Sequence, residues 1–387
     1  KRIHIALLIR SLVHYRREMQ SLEEFRIEAS AWLKGNQSCA PPNYGAILPP
    51  TMVEQGVVWQ EKLFEDGWAG IHWPTDYGGK GLTPDHQAIW LEECARADVP
   101  PYVNMVGCIL AGQGVQIYGT SEQKDRHLRS ILTAKKLWCQ LFSEPEAGSD
   151  LGALRTVALR DGTSWIVNGQ KVWCSGGRYS DWGILMARTD PQLPKHRGIS
   201  FFLVDMRSEG IETRPLRQMT GEAEFDEVFF TDVQLPETAL LGPENNGWAV
   251  GMDILTKERG SIGAGAITMQ RRLDALKALA VKDLDPINRQ RLVQLLSKGR
   301  SFHYLGLRQG SGASVASSLN KLGITELMFE TANLRADIAD LEAMLEGSGS
   351  GSLLAAPGAR IAGGTSQVQR NIIGERILGL PKEPRPQ

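Results

Sequence analysis

Two short stretches carry residues whose types and spacing suit chemistry. In "ARIAGGTSQVQR", residues 359–370, Gly363 and Gly364 stand directly before Thr365, Ser366 and Gln367, where a helical pattern begins. Glycines here take backbone conformations that other residues avoid and let a ligand approach the main chain. Thr365 or Ser366 can cap the helix that follows, and its first N–H groups favour an anion. Taken alone, the stretch reads as a tight turn and a cap. In "DILTKERGSIG", Glu258 lies three residues after Leu255 and four before Ile262. On a helix this places it on a semi-apolar face, where partial desolvation raises a carboxyl pKa and strengthens it as a base. The other reading is a solvated pair, Glu258 with Arg259, at the rim of a helix. Both readings are open at this point.

Three blocks must position these stretches. Residues 19–135 read as helices, broken by the loop "WPTDYGGKGLTPD"; "HQAIWLEECARAD" has helical apolar spacing, and "MVGCILAGQGVQIYG" reads as a buried helix closed by Gly119. Residues 136–240 change to short β-rich runs, with hairpin signals at Asp161-Gly162 and Asn168-Gly169. Such spacing predicts a compact barrel or sandwich. Residues 241–387 return to helix: one long run from Trp248 to about residue 280, a second over 288–310 and a third over 317–346. "GSGSGS", 347–352, is a linker by composition.

The balance of 43 Lys and Arg against 44 Asp and Glu in 387 residues gives no basic excess that would point to nucleic acid. Five cysteines (39, 94, 108, 139 and 174) form no C-x-x-C pair, and seven scattered histidines offer no metal cluster, so a reduced, cytoplasmic protein without a metal is expected. No apolar run approaches the ~18 residues of a membrane span. Residues 1–18 are expected to be upstream sequence or a loose helix. There is no G-x-G-x-x-G opening a βαβ unit and no P-loop.

The segments "QLFSEPEAGSDLGALRT", "VNGQKVWCSGG", "RQMTGEAEFDEVFFTDVQLP", "LLGPENNGW" and "IAGGTSQVQRNIIGERILGLP", in this order, resemble the acyl-CoA dehydrogenase family, with C-terminal wording similar to bacterial FadE-type members. The resemblance runs from about residue 20 onward. It implies an α+β multidomain fold: a helical N-terminal domain (19–135), a central β-barrel (136–240) and a C-terminal four-helix bundle (241–387). It also implies FAD and formation of a double bond between the α and β carbons of an acyl-CoA, with electron-transfer flavoprotein as the oxidant. By resemblance Gln140, Phe142 and Ser143 line the flavin ring, Trp173 packs beside it and Ser175 hydrogen-bonds it. Thr365 and Gln367 contact FAD, and Ser149 contacts the CoA portion.

Two departures matter. Many family members carry the proton-abstracting glutamate where this chain has Gly363, whose N–H remains to bond the thioester carbonyl. Others carry it on the first long C-terminal helix beside an arginine, which here matches Glu258 and Arg259, the latter orienting the loop or the substrate. Glu144, Glu146 and Glu375 are weaker candidates. The Arg-x-x-Phe-Gly segment that reaches a partner's FAD in the best-known members has no match. Two readings follow: a working dehydrogenase with Glu258 as base, or a catalytically silent subunit of a hetero-oligomer. A third keeps the fold and changes the chemistry to a flavin oxidase or monooxygenase. A dimer or tetramer, homomeric or mixed, is expected.

Overall fold

The computed structural model describes residues 20–45, 47–257, 262–279, 284–307, 313–345 and 349–382. Residues 1–18, Glu258 and Arg259 therefore lie outside the described residues.

The N-terminal region holds α1 (Leu22–Asn36), α2 (Val53–Glu65), α3 (Pro84–Ala97), α4 (Gly112–Tyr118) and α5 (Ser121–Leu132). α1 and α5 start at capping boxes, Ser21 with Glu24 and Thr120 with Gln123, in which side chains satisfy amides that the helix leaves unpaired. The run expected as one buried helix enters as a π-helical segment, Val106–Ala111, before becoming α4.

Seven strands follow: β1 (Trp138–Leu141), β2 (Val157–Asp161), β3 (Ser164–Ser175), β4 (Trp182–Arg188), β5 (Ile199–Asp205), β6 (Ile211–Leu216) and β7 (Phe225–Pro236). They form one sheet in the order β1-β4-β2-β3-β7-β6, with β5 also on β4. β4 and β5 are buried on both faces, which explains their continuous apolar runs. Ile184, Met186, Phe201 and Leu203 join the core of the N-terminal helices, whereas Leu185, Ala187, Phe202 and Val204 join a second core inside the sheet.

The hairpin signal at Asp161-Gly162 corresponds to the turn from β2 to β3, where Asp161 pairs with Ser164. The one at Asn168-Gly169 does not make a hairpin. β3 runs straight through it, paired with β7 along its length, and Gly169 instead marks a register shift between Val167 and Gly169. Long-range pairing with β7 outweighs the local turn preference there.

The C-terminal region contains α6 (Gly247–Lys257), α7 (Ile262–Leu279), α8 (Pro286–Leu307), α9 (Ala313–Ala339), α10 (Ser350–Ile361) and α11 (Ser366–Ile372). α6 packs on β5 and buries Val250 and Ile254 in the N-terminal core, whereas Met269, Leu273, Leu295, Leu327 and Leu334 form a third core among α7, α8 and α9. The "GSGSGS" segment is not wholly a linker: Gly349 is a left-handed N-cap, and Ser350, Gly351 and Ser352 are the first turn of α10, which packs on α9. No described helix is long and apolar enough to cross a membrane.

One buried group predicts a pH dependence. His127 is 3% exposed and stands edge-on to Trp138 and Trp182, at ring-centroid distances of 5.2 and 4.6 Å. Burial, then the neighbouring Arg126 charge, hold its pKa down to about 4. The unfolded chain takes up this proton near the ordinary value of 6.5, before the folded one does. Stability is therefore present above that value and is lost as pH falls through the window down to about 4, by up to roughly 3 kcal/mol. Urea midpoints measured across this range are expected to fall less steeply in His127→Gln; equal slopes would remove His127 from the account.

Candidate functional site

The exit of β1 and the middle of β3 are tied together. The Val172 N–H donates to the Ser143 carbonyl at 2.9 Å, so Gln140, Phe142 and Ser143 run beside Trp173 and Ser175. A bulge shapes this edge: between Lys171 and Cys174, three steps along β3 match two along β7, from Val228 to Asp226. Trp173 sits in that bulge at φ +60°, a left-handed conformation that is sparsely populated for a tryptophan. Its side chain is 54% exposed and meets Phe225 edge-on at 5.6 Å. Strain of this kind costs about 1–3 kcal/mol and concentrates at functional sites. Trp173 is thus an outward aromatic surface, not core.

Phe142 is core: its ring is buried and meets Phe201 edge-on at 5.6 Å. Its carbonyl accepts a hydrogen bond from Lys171 Nζ at 3.0 Å. Gln140 is half-buried in β1 opposite Ile184. Ser175 borders a cavity of about 60 Å³ with Asn104, Met105, Val106, Trp138 and Tyr179. Flat aromatic surface open at Trp173, flanked by Ser143 and Ser175, is compatible with a planar heteroaromatic group held on this edge.

Beneath the edge lies a buried ion pair between Glu144, read from the sequence as a weaker base candidate, and Lys171, which the sequence reading did not single out. Lys171 is 0% exposed and Glu144 is 7% exposed; Nζ and Oε1 are 2.8 Å apart. Glu144 also accepts from the N–H groups of Arg155, at 2.6 Å, and Thr156, at 2.9 Å. Burial pushes the Glu144 carboxyl upward, but the Lys171 charge and these hydrogen bonds outweigh it and leave its pKa below the ordinary value. Burial lowers the Lys171 pKa, with Glu144 opposing it. Glu144 is therefore an anchor for the segment after β1, engaged by three donors. The available signal was a lysine inside the strand run "QKVWCS".

Ser149 is exposed in the loop that follows, next to Asp150, which pairs with Lys195 at 2.8 Å. Glu146 pairs with Arg155 at 2.6 Å on the surface, and Glu375 is half-buried in the π-helical turn Ile373–Ile377. The glycine loop lies between α10 and α11. Gly363 and Gly364 adopt φ +63° and +91°, and Thr365 is the N-cap, its hydroxyl accepting from the Val368 N–H at 3.1 Å. Gly363 and Gln367 are exposed. The described hydrogen bonds of this loop go to α9 and within its own segment, so the structure joins five candidates at the sheet edge and three in the loop as two groups. The described part of α6 runs to Lys257, and Glu258 is the next residue in the sequence.

Residues 51–135 match the family model for the acyl-CoA dehydrogenase N-terminal domain, and residues 139–233 match that for the middle domain. The chain is 35% identical over 382 residues to acyl-CoA dehydrogenase IpdE1 of Mycobacterium tuberculosis, covering 94% of this chain and 99% of that protein. Among solved structures it is similar to the Tcur3481-Tcur3483 steroid ACAD, with a TM-score of 0.81 and 26% identity over 94% of this chain and 98% of that one. The ChsE4-ChsE5 complex from Mycobacterium tuberculosis gives 0.78 and 28%, over 95% and 100%.

Proposed function

The chain belongs to the acyl-CoA dehydrogenase family, and from that membership we propose that it carries out FAD-dependent α,β-dehydrogenation of an acyl-CoA thioester. The observation that carries the reading is Trp173, strained and outward-facing, beside the Ser143–Val172 junction. Trp173 flanks the flavin, Gln140, Ser143, Ser175 and the Phe142 backbone line its polar edge, and Thr365 with Gln367 complete the cofactor contacts. Bound FAD supplies a two-electron acceptor for the β-hydride at N5. Glu258 takes the α-proton, and the Gly363 N–H stabilises negative charge on the thioester oxygen as that proton leaves. Ser149 and Arg259 hold the CoA portion and the substrate. Electrons pass on to electron-transfer flavoprotein, and the protein works as a dimer or tetramer of three-domain subunits divided near residues 135 and 240, the last domain a four-helix bundle.

Incubation with FAD, electron-transfer flavoprotein and a panel of acyl-CoA thioesters, steroid-derived ones included because a structural relative is a steroid ACAD, tests this. At least one thioester is expected to become two hydrogens lighter; a panel wholly unchanged would contradict the reading. A second reading, a silent subunit beside an active partner, is favoured by Gly363 standing in place of a carboxylate and by structural relatives that are two-component assemblies, Tcur3481-Tcur3483 and ChsE4-ChsE5. It predicts no FAD uptake by the chain alone.

Trp173 gives a separable prediction. Glycine accepts φ +60° without strain, so Trp173→Gly is expected to leave the thermal midpoint unchanged or higher. It removes an aromatic contact worth about 0.5–1.5 kcal/mol, so FAD binding should weaken about 2- to 10-fold. Fluorescence titration with FAD reads this; unchanged affinity would place the cofactor elsewhere.

A further inference from the structure

The Gly363–Gly364 pair has the freest backbone available to a chain, yet a donor aimed at a developing oxyanion tolerates little displacement. Neither residue has a side chain of its own to fix it, and a Cβ placed on Gly363 would meet nothing within 4 Å. What holds them is a set of side chains acting on their carbonyls. Lys321 of α9 donates from Nζ to the Gly364 carbonyl at 2.6 Å and to that of Arg360 at 3.3 Å. Gln369 of α11, 1% exposed, donates from Nε2 to the Gly363 carbonyl at 3.1 Å.

Peptide units are planar and trans, so fixing two successive carbonyls fixes where the Gly364 and Thr365 amides point. The Gly363 amide is confined from both sides, by its own carbonyl held on Gln369 and, upstream, by the Arg360 carbonyl held on Lys321 and the Ala362 N–H bonded to the Gly358 carbonyl at 2.9 Å. The ends of the loop are held as well. Glu326 of α9 accepts from Ser366 Oγ at 2.8 Å and Arg360 Nε at 3.2 Å, with Arg370 at 3.7 Å. Among the described residues, the amides of Gly363, Gly364 and Thr365 have no acceptor.

We propose that Lys321 and Gln369 are positioning residues for the dehydrogenation: by clamping the carbonyls of Gly364 and Gly363 they aim the amides of this loop at the thioester oxygen. The inference rests on the dehydrogenase reading above. Because the oxyanion is fully charged only as the α-proton leaves, loosening the loop lowers kcat more than it raises KM.

Gln369→Met is the sharper variant. Gln369 Oε1 is buried without a partner, so methionine of similar length removes an unsatisfied atom together with the clamp. Its thermal midpoint and FAD content are expected to match the wild type, while kcat falls about 10-fold, short of the full loss of an oxyanion donor, with KM within about 3-fold. Lys321→Met should show the same split, and Lys321→Arg, which still donates to both carbonyls, should recover most of the rate.

Wild-type kcat in Gln369→Met would overturn the inference, as would a loss in Lys321→Met that tracks the thermal midpoint and is shared by Lys321→Arg. If the wild-type protein turns over no thioester, the dehydrogenase reading itself fails. That outcome is distinguishable because it appears before any variant is made.

Discussion

Glu258→Gln is expected to leave FAD bound and to slow flavin bleaching by acyl-CoA about 10²–10⁴-fold, the contribution of a positioned general base. Glutamine keeps the size and hydrogen-bonding reach of the side chain and loses only the ability to take a proton. The α-proton of a thioester is weakly acidic, so its removal needs a carboxylate within hydrogen-bond reach and a donor on the carbonyl oxygen. Gly363 can supply an amide and no carboxylate. Glu258 is the next residue in the sequence after α6, whose described part is anchored through Val250 and Ile254 in the main core and packs on β5. Glu144 is not free for the task, being engaged by Lys171 and two backbone amides. Glu375→Gln is the control and should bleach at the wild-type rate. Stopped-flow absorbance at the flavin band decides it: normal bleaching in Glu258→Gln would place the base elsewhere.

Lys171→Met is expected to destabilise the fold by about 3–5 kcal/mol, because it strands a buried carboxylate without its counter-charge. It also removes the donor to the Phe142 carbonyl, the last fixed point before Ser143. Loss of flavin retention should accompany the loss of stability. Adding Glu144→Gln removes the stranded charge and should recover part of the stability. The recovery is incomplete because the Arg155 and Thr156 N–H groups bond different carboxylate oxygens, and glutamine keeps only one acceptor oxygen, leaving one of them without an acceptor. Urea unfolding of the two variants checks this. A Lys171→Met protein as stable as the wild type would mean that the pair contributes nothing to holding this edge.

Much of the architecture was legible because local rules and tertiary packing agree. The cap at Thr365 and the left-handed glycines at 363 and 364 follow from chemistry within a few residues. Where the two conflicted, packing won. Asn168-Gly169 suits a hairpin, but β7 offers a full ladder to both sides of it, and the glycine is absorbed as a bulge. Ser350, Gly351 and Ser352 are poor helix formers, but a first turn has few intrahelical bonds to lose and the body of α10 is held on α9.

The site was less legible, for a physical reason. Trp173 and Phe142 are both aromatic residues at the ends of apolar runs, and nothing in periodicity says that one ring turns outward at φ +60° while the other is buried. The bulge that separates them depends on the register with β7. Lys171 is similar: its inward direction follows from a carboxylate 27 positions earlier in the chain.

The most direct measurement is the visible spectrum of the purified chain, loaded with FAD and titrated anaerobically with acyl-CoA thioesters. The account predicts a yellow protein whose flavin band bleaches on addition of at least one thioester, with the colour restored by electron-transfer flavoprotein. A protein that takes up no FAD, or one whose bound flavin no thioester reduces, would contradict it.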